Sequence, residues 1–161
     1  MISFRRLKTD AADIEAAVSI YNSNREFLMH HLGIEQVSEK FIANEIREME
    51  EHGFCSNLIV EAGSGIGVID YMLQDDGYVY LSMLMLDLAV QSCGKGKAIY
   101  RFFEEKMLSE GALKIRIDVV DDYEPNVLPF WEKQGFEARR NDVLTWGDKT
   151  SSVVVMEKEL T

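Results

Sequence analysis

Gln91-Ser92-Cys93-Gly94-Lys95-Gly96 follows the most apolar stretch of the chain, residues 78–90, and opens a segment with helical periodicity. Two glycines one residue apart let the backbone turn tightly and approach a ligand without Cβ interference, and the free N–H groups at a helix start attract anionic oxygens. The charge around this junction is also distinctive. The chain carries 17 Lys and Arg against 28 Asp and Glu, yet residues 91–101 contain Lys95, Lys97 and Arg101 and no acid. A basic island in an acidic chain fits a phosphate-bearing ligand; lysines that only solubilise a helix start are the plainer alternative. A P-loop is excluded, because neither its Gly-x-x-x-x-Gly-Lys-Ser/Thr spacing nor its magnesium-holding hydroxyl is present. A dinucleotide fingerprint is excluded by Ile99, where a third small residue belongs, and by the lack of an acidic residue about 20 places on.

Outward from the loop, residues 96–108 carry Ile99, Phe102, Phe103 and Met107 on one helical stripe, closed by Gly111, and residues 113–120 alternate as a strand. Strand 78–90, loop, helix and strand 113–120 form a βαβ unit, which predicts a parallel pair. Upstream, residues 2–8 read as a strand and Thr9-Asp10 as a cap for a helix carrying Ile14, Ala17, Val18 and Tyr21. Ser38 caps a second helix that stops before Gly53, while residues 22–37 have no decisive period. Residues 58–62 and 66–73 form a hairpin across Gly63-Ser64-Gly65, and Asp75-Asp76-Gly77 marks the next turn. After Pro125 a short helix with Val127, Leu128, Phe130 and Trp131 ends at Gly135. Two strands, 138–146 and 152–160, then flank the turn Gly147-Asp148-Lys149. The valines Val153, Val154 and Val155 offer an edge for a possible homodimer.

At 161 residues and 47% apolar content the chain has the size of one domain with a substantial core. No apolar run is long enough to span a membrane and the first residues lack a secretory h-region, so the expected place of work is the cytoplasm, without membrane contact. Cys55 and Cys93 are too few for a disulfide framework, and His30, His31 and His52 lack zinc-ligand spacing, so no metal is expected. A net charge of −11 opposes a nucleic-acid surface.

The loop, together with Phe130-Trp131-Glu132-Lys133-Gln134-Gly135-Phe136 downstream, resembles the GNAT superfamily of N-acetyltransferases. The order, spacing and placement of these motifs agree with that family over most of the chain, from the first strand to the last, and imply a single such domain over residues 1–161. The resemblance implies a mixed α/β fold: a mostly antiparallel sheet of about seven strands with one splayed parallel pair, flanked by about four helices. It also implies acetyl-CoA as co-substrate, entering between the splayed strands. Backbone groups around Leu84 and Leu86 would then pair with the pantetheine arm, and the loop Gln91, Ser92, Cys93, Gly94, Lys95, Gly96 and Lys97 would hold the pyrophosphate. The acceptor would be a primary amine of a small molecule or peptide, attacking directly in a ternary complex. A protein lysine or N-terminal acetyltransferase and a non-catalytic CoA-binding module are the alternatives.

Transfer needs a deprotonated amine, donors for the developing oxyanion and a proton for the departing thiolate. Many relatives carry a tyrosine acid in the late helix, where this chain has Trp131, whose indole N–H donates hydrogen bonds but does not give up its proton. Tyr123 is the substitute candidate, with water as the alternative, and Trp131 also reads as a core aromatic closing the pocket. Asn126 stands five residues before Trp131, with Glu124 at the family's usual asparagine place. Tyr80 falls near the position of a family glutamate on the central strand. Asp87, which interrupts an apolar run, is a candidate buried carboxylate or a solvent-facing strand end. Asp70 carries the same two readings and, with Glu26 in the acceptor loop, is a candidate for holding the amine.

Overall fold

The computed structural model describes residues 1–91 and 94–161. Its elements run β1 (Ile2–Arg6), α1 (Ala11–Ser23), α2 (Arg25–Leu32), α3 (Glu39–Glu51), β2 (Cys55–Glu61), β3 (Ser64–Leu73), β4 (Tyr78–Leu86), a 3-10 turn (Leu88–Val90), α4 (Lys95–Ser109), β5 (Lys114–Val120), α5 (Leu128–Lys133), β6 (Glu137–Trp146) and β7 (Lys149–Glu159). The strands form one sheet in the order β1-β2-β3-β4-β5-β7-β6, antiparallel throughout except for β4 beside β5. Among the described residues, five α-helices cover it.

Each face of the sheet buries its own core. Ile59, Ile69, Leu81 and Ile115 meet Ile99, Phe103 and Trp131 beneath α4 and α5. On the opposite face Leu58, Val68 and Met85 meet Ile20, Leu28 and Ile42 beneath α1, α2 and α3. Alternate residues of β2, β3 and β4 therefore enter different cores, which is why these strands read as nearly continuous apolar runs.

Several sequence expectations are corrected. β1 ends at Arg6, after which Leu7 N makes one last bond to Ser56 O at 2.9 Å and Lys8 N turns to Asp13, whose carboxylate accepts from it at 2.8 Å and is bridged by the Arg5 guanidinium at 2.8 Å. Residues 22–37, ambiguous in sequence, hold α2, which ends at Gly33. The apolar run 78–90 is not one strand. β4 ends at Leu86, where Asp87 caps the 3-10 turn by accepting from Ala89 N at 2.9 Å, and Leu88 is left exposed. β7 starts three residues earlier than its sequence signal and lies between β5 and β6. Both of its edges are paired, so Val153, Val154 and Val155 offer no edge to a second copy; the free edges belong to β1 and β6.

One irregularity in β4 positions the site. Asp70 pairs with Met83 but Tyr71 pairs with Leu81, so Ser82 is the additional residue of a β-bulge. A bulge bends and twists the strand that carries it. The β4–β5 ladder consists of Tyr78↔Lys114, Val79↔Ile115 and Tyr80↔Arg116, and stops immediately before that bulge. β5 keeps to β7 along its whole length, from Lys114↔Glu159 to Val120↔Val153, while β4 keeps to β3 out to Gly67↔Leu86. Gly67 makes that second pairing possible, since a Cβ there would stand 2.6 Å from the Met85 carbonyl oxygen. The parallel strands therefore part after three rungs and open toward their C-terminal ends.

Candidate active site

Elements close around the mouth of the split from both faces. On one face, α2 starts against the end of β4: buried Asn24 donates from Nδ2 to Leu86 O at 2.8 Å, and Leu88 N donates to Ser23 Oγ at 3.0 Å. The far end of α2 reaches the segment after β5, where the His30 ring stacks on Tyr123 with centroids 3.9 Å apart, and Gly33 packs near Lys149 of β7. On the other face α4 begins at the mouth, with Gly96 seated against the Phe130 ring of α5.

The loop into α4 meets the geometric demands of an anion site. Gly94 has φ +74°, a left-handed conformation that suits glycine, and a Cβ placed on it would meet open space among the described residues. The first helical bond is Ala98 N to Gly94 O. Among the described residues nothing accepts from the N–H groups of Lys95, Gly96 and Lys97, so three donors and the positive end of a 15-residue helix point outward. Ser92 and Cys93 lie outside the described residues. Gln91 is held by Asn24, donating from Nε2 to Asn24 Oδ1 at 2.7 Å and to Leu86 O at 2.9 Å. The Leu86 carbonyl thus already serves two amides. Leu84 is partly buried against the α4-side core.

The basic island is rearranged relative to its sequence reading. Lys95 is an ion-pair partner, its Nζ 2.6 Å from Glu61, which holds that carboxyl below its ordinary range. Lys97 and Arg101 instead face Lys133 of α5 across an open pocket of about 240 Å³, and none of these three has a carboxylate partner among the described residues. Lys158 lines the same pocket but is paired with Glu104 at 2.6 Å.

The other candidates take varied places. Trp131 is buried, 5.5 Å from Tyr100 and 5.4 Å from Phe136 by ring centroids, within the α4-side core. Asn126 turns its side chain back on its own loop: Oδ1 accepts from Leu128 N at 3.0 Å and Nδ2 donates to Tyr123 O at 3.3 Å, which starts α5. Tyr123 is partly buried, and burial with the nearby Asp122 charge pushes its hydroxyl pKa up. Tyr80 sits on the last rung before the split. Its hydroxyl donates to Asp118 at 3.0 Å, and Arg116 lies over its ring at 5.0 Å. Burial and Asp118 raise its pKa, so it stays protonated and is no base. Asp87 is the half-buried cap described above, the solvent-side reading rather than a buried carboxylate. Glu26 is exposed on the first turn of α2. Asp70 is buried beneath α1 and α3, where it lines a cavity of about one water with Glu45 and Ser56.

Sequence reading placed Asn24 in the acceptor loop but missed its role, which is to fasten α1, β4 and Gln91 together from a region without clear periodicity. It also missed the pairing of Lys95 with Glu61, and Asp118 beside Tyr80. Ser82 was visible only as a polar break in an apolar run.

A split parallel pair with a glycine-led helix start at its mouth is the arrangement that the sequence resemblance implied. Residues 17–136 match the family described as "Acetyltransferase (GNAT) family". The chain belongs to that family and is an acyltransferase. No curated protein matches its sequence. Among solved structures it resembles an acetyltransferase from Thermus thermophilus, at 15% identity and TM-score 0.78, covering 99% of this chain and 97% of that one. PaiA N-acetyltransferase from Thermoplasma acidophilum, solved in complex with coenzyme A, matches at 20% identity and TM-score 0.68 over 99% of both chains. The ribosomal-protein-S18-alanine N-acetyltransferase from Escherichia coli matches at 16% identity and TM-score 0.71, covering 99% of this chain and 94% of that one. At these identities the likeness is one of fold.

Proposed function

We propose that this chain, as a single cytoplasmic domain, transfers an acetyl group from acetyl-CoA to a primary amine of a small molecule or peptide, by direct attack in a ternary complex. The observation that carries this is the opening of β4 from β5 after Tyr80↔Arg116, with the free N–H groups of α4 at its mouth. A pantetheine arm carries amides that such an unpaired strand edge can bind. Its diphosphate suits Lys95, Gly96 and Lys97 N–H, with Gln91, Ser92, Cys93 and Gly94 completing the loop. The 3′-phosphate of CoA suits the pocket of Lys97, Arg101 and Lys133, one to two helical turns along α4. Leu84 and Trp131 supply apolar wall, and Asn126 holds the start of α5 in place.

The acceptor enters from the face covered by α2. There Tyr123, His30, His31, Phe27 and Trp146 form a chain of ring contacts, with Glu26 and Asp122 nearby to attract a cationic amine. An exposed amine is mostly protonated near neutrality, and partial desolvation against these rings lowers its pKa toward the reactive form.

The test is release of free thiol from acetyl-CoA with a panel of polyamines, aminoglycosides, amino acids and a peptide array. Turnover confined to small amines fits the proposal, and turnover confined to peptides assigns the chain to protein acetylation. CoA binding without any turnover leaves a binding module. Reversing two of the pocket cations, Arg101→Glu with Lys133→Glu, is expected to weaken CoA affinity by about tenfold or more at low salt and to flatten its salt dependence. Titration calorimetry at two ionic strengths checks this, and an unchanged affinity removes the pocket from the site.

A further inference from the structure

Ser82 departs from the burial pattern of β4. Val79 is fully buried and Leu81 and Met85 are each 3% exposed, yet Ser82, in the middle of the central strand, is exposed. Strand side chains stand roughly perpendicular to the sheet, so no helix covers β4 at Ser82. Ser82 is the bulge residue, and it stands two places beyond the last β4–β5 rung, where β4 has already left β5. Its hydroxyl has no hydrogen-bond partner among the described residues. The neighbouring polar groups are already committed to one another. Tyr80 donates to Asp118, and Arg116 reaches both Asp118 oxygens at 2.8 Å. From Leu86 at the mouth back to Ser82 is about 13 Å of strand, a reach that suits an extended pantetheine arm. On the acetyltransferase reading, a thioester delivered from the mouth would arrive beside this hydroxyl.

We propose that Ser82 relays the proton of acetyl transfer, an inference that rests on the acetyltransferase reading above. The amine nitrogen bonds to the thioester carbonyl carbon, and the C–S bond then breaks with its electron pair going to sulfur. As it breaks, the nitrogen passes its surplus proton to Ser82 Oγ while the Ser82 O–H proton moves to sulfur. Amide and thiol are formed and the serine is left unchanged. The relay never requires a serine alkoxide or a free hydroxyl acid, and it fills the part that Trp131 cannot play.

The test compares Ser82→Ala and Ser82→Thr with the parent chain. For Ser82→Ala, kcat is expected to fall about 100-fold with CoA affinity within about twofold, while Ser82→Thr, which keeps the hydroxyl, stays within about fivefold. A second readout does not depend on turnover: the thiol pKa of bound CoA, followed by thiolate absorbance. An O–H donor beside sulfur stabilises the thiolate, so this pKa is expected to rise by about one unit in Ser82→Ala. A Ser82→Ala kcat within about threefold of the parent, or an unchanged thiol pKa, overturns the relay. So does a parallel loss of kcat and CoA affinity that threonine fails to rescue, which marks a structural residue. A parent without turnover whose bound-thiol pKa still shifts on Ser82→Ala overturns the transfer reading, and the relay with it, while leaving the serine beside sulfur.

Discussion

Gly94→Asp is expected to abolish coenzyme A binding, a loss of about 100-fold or more in affinity, while Gly94→Asn loses about tenfold at most. The two substitutions share a backbone cost, because any side chain at φ +74° is strained by about 1 kcal/mol, with asparagine and aspartate among the residues that tolerate it best. They also share bulk, and the site has space for it, since no described residue lies within 4 Å of a Cβ built on Gly94. What separates them is one negative charge at the positive end of α4, beside the free N–H groups of Lys95, Gly96 and Lys97. A carboxylate about 5 Å from a diphosphate charge, at an effective dielectric of about 20, costs about 3 kcal/mol, which alone exceeds a hundredfold. The carboxylate also competes for the same N–H donors. Calorimetry on the three proteins, with thermal melts as a control for folding, decides the matter. Equal affinities for aspartate and asparagine would place the diphosphate elsewhere.

The features legible in the sequence were those with a local or periodic signature. The glycine loop announces itself by spacing, the helix after it by its apolar stripe, and the parallel pair by the strand-helix-strand order around it. The features that escaped depend on partners distant in the chain. Lys95 reads as a free cation until Glu61, 34 residues upstream, is brought beside it by β2. The run 78–90 reads as one strand because apolar content does not reveal that Asp87 folds back to cap Ala89. β7 reads as an edge because valine content does not show that β6 lies outside it. The split itself has a faint local signal, the polar Ser82 in an apolar run, but its meaning as a bulge appears only when Met83 and Leu81 are seen opposite Asp70 and Tyr71.

Asp70 opposes that bulge from β3 and supports the second large prediction: its contribution is expected to cost the chain stability as the pH rises from about 4 to about 7. Burial beneath α1 and α3 outweighs a hydrogen bond from Ser56 and pushes the Asp70 carboxyl up to about 7, against an ordinary 3.8, with Glu45 adding to the rise. A carboxyl raised in the folded state runs opposite to the usual case. Below the unfolded value both states hold the proton and nothing is lost. Between the two values the unfolded chain releases its proton while the folded chain keeps it, so each pH unit favours unfolding; above about 7 the loss is complete. Three pH units correspond to about 4 kcal/mol, an upper figure because local opening and water in the adjoining cavity relieve part of it. Asp13 and Glu157 act the other way. Their carboxyls are held low by Arg5 and by Tyr78, so their contribution is present at neutral pH and is lost as the pH falls through their depressed values. The parent curve is therefore a sum, and Asp70→Asn isolates one contribution, since asparagine keeps the shape and the Ser56 contact without the proton. Urea unfolding of parent and Asp70→Asn from about pH 4 to about pH 8 is expected to give curves that diverge through this window, with the variant the more stable above about pH 7. Parallel curves would mean that Asp70 is ionised in the folded state, paired or hydrated within its cavity.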